Sequence, residues 1–462
     1  MRPHQRPARK AASRRPAEHR VRPVREDLAM QAALEAYSLF RRERWLADRA
    51  LEHTLRPKRN LYANERRAVS ERVYATVRRQ RTIDHLLDEL RPGFHALPSS
   101  RQDLLRLHAA RVLEGESPAT VGRAAALDDA DARALEQIPK AAAALERLPA
   151  DRKLALLGSL PDFLAKRFRE ELGPDAEAAV AAMNTRAPLC ARTNTLKGTR
   201  EALMQRLREE GVDCRPAPLS PLGIFLDTRL NAFSLKSFKE GFFELQDEGS
   251  QLLGQLVDPP PTRVVDACAG AGGKSLQLSA EMKNRGELFA LDVDGRRLEE
   301  LKRRARRDGV HNVRIREVPA EREAALAALE DLRGKADRVL VDAPCSGTGT
   351  FRRKPDARYR LSPEELAMHL ERQRALLEQF STLVKPGGRL IYGTCSILRA
   401  ENEDVVEGFL SRHPEFSLVP AETRLPAPGK GPPLTRGGYL RLYTHLHGTD
   451  GFFGAILGRA KT

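Results

Sequence analysis

At 462 residues the chain is long enough for two or three domains, because a single hydrophobic core rarely grows beyond about 250–300 residues. Lys and Arg number 79 against 63 Asp and Glu, a formal net charge of +16 that favours a polyanionic partner, nucleic acid first, through phosphate contacts and counterion release. Five scattered cysteines without a Cys-x-x-Cys pair speak against a disulfide framework and a zinc site; no apolar run reaches the ~18–20 residues that span a bilayer, so a cytoplasmic protein with neither metal nor membrane partner is expected.

Residues 1–25 hold nine Lys/Arg against one acid, and Pro3, Pro7, Pro16 and Pro23 interrupt any helix, so they read as a disordered basic arm. From 26 to 155 the pattern is helical, with apolar residues three and four apart in Leu28, Ala32, Ala36, Leu39 and in Val69, Val73, Val77. Arg66, Arg67, Arg72, Arg78, Arg79 and Arg81 crowd one part of this helical domain, as a phosphate-contacting surface would. Between 156 and 244 the pattern becomes mixed. Strands are predicted at Arg192–Leu196, Gly223–Leu226 and Gly241–Phe243, and a helix over Glu201–Glu210 ends at Gly211.

From 245 to 462 strands and helices alternate. The strands are predicted at 263–267, 287–293, 313–318, 337–343 and 389–394, a pattern of parallel βαβ units in an α/β sheet covered on both faces. Ser362-Pro-Glu-Glu365 opens a helix with a capping box, Pro386-Gly-Gly388 ends it, and Asp450–Leu457 reads as a closing antiparallel strand at an edge.

Ligands of such sheets bind beyond the carboxyl ends of the strands. Four of these ends carry functional side chains. Asp266-Ala-Cys268-Ala269-Gly270-Ala271-Gly272-Gly273-Lys274 is a glycine-rich turn that lets backbone approach a ligand. It ends like a phosphate-binding loop, but the first glycine of that motif falls on Cys268, so a nucleoside triphosphate is not expected. Asp292, on the next strand end, suits the two hydroxyls of a ribose. The remaining two ends, Asp342-Ala-Pro-Cys345-Ser-Gly and Thr394-Cys395-Ser, bring two cysteines to the same side of the sheet.

With these motifs, and with Arg352-Arg-Lys-Pro355, Glu401-Asn402 and Gln246-Asp-Glu-Gly-Ser250, the chain resembles the RsmB/NOP family of RNA cytosine methyltransferases from about residue 26 onward. The resemblance implies a Rossmann-like class I methyltransferase core over 245–462, an all-α NusB-like RNA-binding domain over 26–155, and a small α+β RNA-binding module over 156–244. It implies S-adenosyl-L-methionine as cofactor, held by Cys268 to Lys274, Asp292 and Asp342, and a monomer acting on RNA. Small-subunit ribosomal RNA is the expected substrate, transfer RNA the alternative, and a non-catalytic ribosome assembly factor the reading from another class.

Carbon 5 of cytosine is too weak a nucleophile to take a methyl group unaided, so a thiolate first adds to carbon 6 and creates an enamine. The resemblance assigns this attack to Cys395 and assistance in release to Cys345; spacing alone does not rank them. Asp342 is expected to hydrogen-bond the cytosine ring edge. Two positions depart from the family pattern. Gly270-Ala271 replaces Ala-Pro in the loop, and Pro319 stands near the place of an adenine-binding Asp, leaving adenine to backbone groups or Glu317.

Overall fold

The computed structural model describes residues 23–124, 127–228, 231–425 and 431–461. The basic arm up to residue 22 lies outside them; Arg25 lies within and pairs with Glu65 at 2.6 Å. Two compact units are present, one reaching Val77 and adding Leu87–Ile138, the other combining Arg78–Leu86 with the chain from Pro139 onward. No helix among the described residues is long and apolar enough to cross a membrane.

The first unit is helical. Its opening helix, Glu26–Glu43, buries Ala29, Ala32, Ala33, Ala36, Tyr37 and Phe40, the stripe expected from three- and four-residue spacing. Its buried Asp103, on helix Ser99–Leu113, is matched: it accepts from Arg42 (2.7 Å), Arg106 (3.0 Å) and Ser38 (3.2 Å).

The arginines of the expected phosphate-contacting surface are largely used within the protein. Arg66 donates to the carbonyls of Leu55 (2.8 Å), Lys58 (2.6 Å) and Leu61 (3.2 Å), and Arg72 pairs with Glu26 at 2.6 Å. In the second unit, Arg81 holds the Leu160 carbonyl and Asp162, and Arg78 is buried. Groups that satisfy loop carbonyls are structural ties. A run of arginines in sequence does not distinguish such ties from free phosphate binders.

The second unit carries two sheets. The smaller is antiparallel and comprises β1 (Leu189–Thr193), β2 (Cys214–Pro216), β3 (Gly223–Leu226) and β4 (Phe243–Leu245), in the order β2-β3-β1-β4. Helix Arg200–Glu209, capped by Thr199, covers it with Leu203, Met204 and Leu207. The first strand stops earlier than predicted, because Asn194 accepts a hydrogen bond from Leu196 N and turns the chain.

The larger sheet contains β5 (Arg263–Asp266), β6 (Glu287–Asp292), β7 (Val313–Glu317), β8 (Ala336–Asp342), β9 (Val384–Thr394), β10 (Phe416–Val419), β11 (Thr435–Arg436), β12 (Tyr439–Leu442) and β13 (Phe452–Arg459). Its order is β11-β12-β13-β9-β8-β5-β6-β7, with β5 to β9 mutually parallel, so the five predicted strands form the Rossmann-like core. Val265, Leu340 and Ile391 are fully buried, as strands covered on both faces require. Strand β9 starts at Val384, ahead of Pro386-Gly-Gly388, which occupies an irregular stretch of the β8–β9 ladder instead of ending the preceding helix.

Strand β13 is antiparallel to β9, as expected, but it is not an edge strand. Its outer side is taken by β12 along Phe452–Gly454 and by β10 along Ile456–Arg459. Both partners are only four residues long, too short for their apolar residues to mark them as strands in the sequence.

Candidate functional site

The order reverses at β5: β6 and β7 follow on one side, and β8 and β9 lie on the other. Crossovers leaving β5 and β8 in opposite directions open a crevice at their carboxyl ends. Asp266, Asp292, Asp342 and Thr394 end β5, β6, β8 and β9, so every strand-end motif faces this side.

The turn after β5 is held by its backbone. Ala269 N donates to Leu291 O (2.9 Å), Gly272 N to Ala269 O (2.9 Å), and Gly270 N to Asp292 Oδ2 (2.8 Å). Asp292 Oδ1 takes Asp294 N at 2.9 Å, so this acid links the turn to the next helix. Gly270 and Gly272 adopt positive φ, and a Cβ on Gly272 would lie 2.6 Å from Leu301. A Cβ on Gly270 or Gly273 would instead meet nothing within 4 Å, so the turn borders open space. Helix Gly273–Glu281 begins here and points its first amides toward that space.

Three charged groups converge at this turn. Lys274 Nζ lies 2.6 Å from Asp342 Oδ2 and 5.6 Å from the centre of the Phe452 ring. Burial works against the lysine charge, but Asp342, and then Asp266, outweigh it and raise the pKa. Asp266 is fully enclosed; Ser275 Oγ donates to its Oδ2 at 2.6 Å, while Oδ1 is buried without a partner. That burial lifts the carboxyl to about 6. Burial, reinforced by Asp266, Asp342 and Asp292, pushes the Cys268 thiol well up, which keeps it neutral.

The loops after β8 and β9 bring Cys345 Sγ and Cys395 Sγ to 3.4 Å. The hydrogen bond with Cys395, together with burial, pushes the Cys345 thiol well up, so Cys345 stays protonated and can donate to its neighbour. Behind the thiols, Thr348 Oγ1 and Ser396 Oγ are 2.9 Å apart, and Gly349 N donates to Cys395 O at 2.9 Å. Gly349 lies against the backbone of Gly451, where a Cβ would be 2.2 Å from the Gly451 carbonyl.

Further support came from residues with no assigned part in the sequence reading. Arg352 and Arg353 are tied to Asp450 (2.6 and 2.5 Å), and Arg353 also pairs with Asp247 at 2.6 Å. Arg304 donates to the Ala271 carbonyl at 2.6 Å and pairs with the buried Glu244 of β4 at 2.8 Å. Arg192, fully buried on β1, reaches Gln246 at 2.5 Å and the Gly273 carbonyl at 3.4 Å. The small sheet therefore braces the glycine turn. The quoted Gln246 motif hinted at this; Arg304 stands among other arginines and Glu244 between Phe243 and Leu245, with no motif to mark either. At the far strand ends, Val293 is 57% exposed beside the exposed Pro319, and a Cβ on Gly295 would lie 2.5 Å from Glu317 Oε2.

The chain is similar to known methyltransferases. The family described as 16S rRNA methyltransferase RsmB/F matches residues 255–458, and the RsmF/B-like ferredoxin-like domain matches 160–232. A probable ribosomal RNA small subunit methyltransferase B of Synechocystis is 34% identical over 433 residues, covering 89% of this chain and 94% of that protein. The ribosomal RNA small subunit methyltransferase B of Thermus thermophilus is 34% identical over 428 residues, covering 91% and 94%. A solved methyltransferase homologue from Pyrococcus horikoshii is 30% identical with a TM-score of 0.58, covering 68% of this chain and 99% of its own. With relatives matched along nearly their whole length and both sheets accounted for, the chain belongs to the RsmB/F family of methyltransferases.

Proposed function

We propose that the protein methylates carbon 5 of a cytosine in small-subunit ribosomal RNA, with Cys395 adding covalently to carbon 6. The observation that carries this reading is the pair of thiols 3.4 Å apart at the ends of adjacent parallel strands, beside a glycine turn that borders open space. The names of the relatives supply the class of RNA.

The residues around the turn fit S-adenosylmethionine. Gly270 and Gly273 leave room for its chain, and Asp292 suits its ribose. When bound, S-adenosylmethionine supplies a methyl group on a positively charged sulfur.

The chain's own residues do the rest. Asp342, held on one oxygen by Lys274 and 30% exposed, is positioned to bind the cytosine ring edge and support the charge shift on addition. Cys395, as thiolate, forms a bond to carbon 6 and drives an electron pair to carbon 5. Once carbon 5 is methylated, solvent takes its proton, the electron pair of that bond re-forms the ring double bond, and Cys395 leaves as thiolate. Cys345, one hydrogen bond away, assists that release.

The test is transfer of labelled methyl to small-subunit ribosomal RNA by purified protein, with the product base identified. Cys395→Ala is expected to lower the rate by about 10⁴-fold or more. Undiminished transfer by that variant overturns the covalent mechanism, and label found only in transfer RNA overturns the substrate.

A further inference from the structure

The two thiols sit on separate loops, after β8 and after β9, and no covalent link sets their spacing. One dipeptide touches both loops. Glu401, fully buried, turns its carboxylate to the loop of Cys345: Ser346 N donates to it at 2.8 Å, the Ser346 hydroxyl donates as well, and Gln373 Nε2 adds a third hydrogen bond at 2.9 Å. Gln373 also donates to the carbonyl of Pro344 at 3.0 Å, so both residues flanking Cys345 are fastened to the same cluster.

Asn402, equally buried, faces the other loop. Thr394 Oγ1 donates to its Oδ1 at 2.6 Å, and its Nδ2 donates to Ser396 O at 3.0 Å, so both residues flanking Cys395 are fastened too. Tyr392, on β9, donates to the Glu401 carbonyl at 2.7 Å and anchors the dipeptide to the sheet.

We infer that Glu401 and Asn402 are positioning residues that act as a two-armed bracket, Glu401 setting the place of Cys345 and Asn402 the place of Cys395. Buried hydrogen bonds suit this work, because leaving a donor such as Ser346 N unmatched in a dry interior is costly and the loop holds the one geometry that matches them all. Misplacing a reacting atom by about 1 Å can cost about 100-fold in rate, so a bracket fixing each sulfur from both flanks acts on the rate without touching substrate.

The inference rests on the covalent reading above, and it separates the two arms by which half-reaction fails. Glu401→Ala should mimic loss of Cys345: the first methyl transfer proceeds within about threefold of wild type, turnover falls about 100-fold, and a protein–RNA adduct accumulates on denaturing gels. Asn402→Ala should mimic loss of Cys395, with the first transfer slowed about 100-fold and no adduct. Glu401→Gln, which keeps an acceptor for Ser346 N, should recover most of the turnover.

Ser346→Ala removes the hydroxyl arm with little change in volume and stands in for Glu401→Ala if that variant does not fold; it should accumulate adduct as well. Thermal unfolding of each variant is read alongside. If both arms slow the first transfer equally and neither traps adduct, while Cys345→Ala does trap it, the bracket is overturned and the covalent reading stands. If Cys345→Ala traps no adduct either, the covalent reading falls and takes the bracket with it.

Discussion

The two halves of the site are built on opposite principles. Around the glycine turn, charged groups surround open space: Asp266 keeps an unpartnered oxygen, Lys274 and Asp342 face each other, and two glycines border room that a side chain could fill. Around the thiols, nearly every polar atom is spent on another, and backbones meet so closely that Gly349 and Gly451 leave no space between them. Under the proposed reaction the first half receives a ligand and must hold room in reserve, whereas the second forms and breaks a bond and needs fixed distances.

Two glycine substitutions test this contrast most directly. Gly349→Ala places a methyl 2.2 Å from a backbone oxygen that cannot swing aside, and it should destabilise the protein by about 3 kcal/mol or more, seen as a lower unfolding midpoint. Gly273→Ala, at the start of a helix and facing open space, should leave stability within about 0.5 kcal/mol while weakening S-adenosylmethionine about tenfold by calorimetry. Equal stability losses for the two would erase the distinction.

Between them in magnitude lies the pH response of Asp266. Its carboxyl is raised from 3.8 to about 6, so the folded state holds its proton more tightly than the unfolded chain does. The contribution to stability is complete below pH 4 and is lost as pH rises through 6, leaving a buried charge that costs at most about 3 kcal/mol. Asp266→Asn should flatten that window and raise the unfolding midpoint at neutral pH, while S-adenosylmethionine affinity falls. A variant with unchanged stability at pH 7.5 would mean that the buried oxygen carries no penalty.

The parts of this architecture that the sequence makes legible share a physical cause. Strands covered on both faces must be largely apolar, so β5, β6, β8 and β9 stand out by their Val-, Leu- and Ile-rich runs, whereas β7 at the edge alternates apolar residues with arginines; the residues that end these strands are candidates by position. Strands β10, β11 and β12 are two to four residues long and defined by their neighbours, which is why β13 read as an edge. The supports of the site were the least visible. Glu401, Glu244 and Arg304 act through contacts made by residues far apart in the chain, and no local pattern announces which charges are buried.

Strand β13 carries a consequence for how the protein comes into being. It comes after the other described strands in chain order, yet it sits inside the sheet, covering the open side of β9 and pairing with β10 and β12. The same stretch delivers Asp450 to Arg352 and Arg353 and Phe452 to Lys274. A ribosome that has not yet released residues 450–459 therefore holds a chain with an exposed strand edge and an unfinished site. Completing the sheet and completing the site are therefore one step.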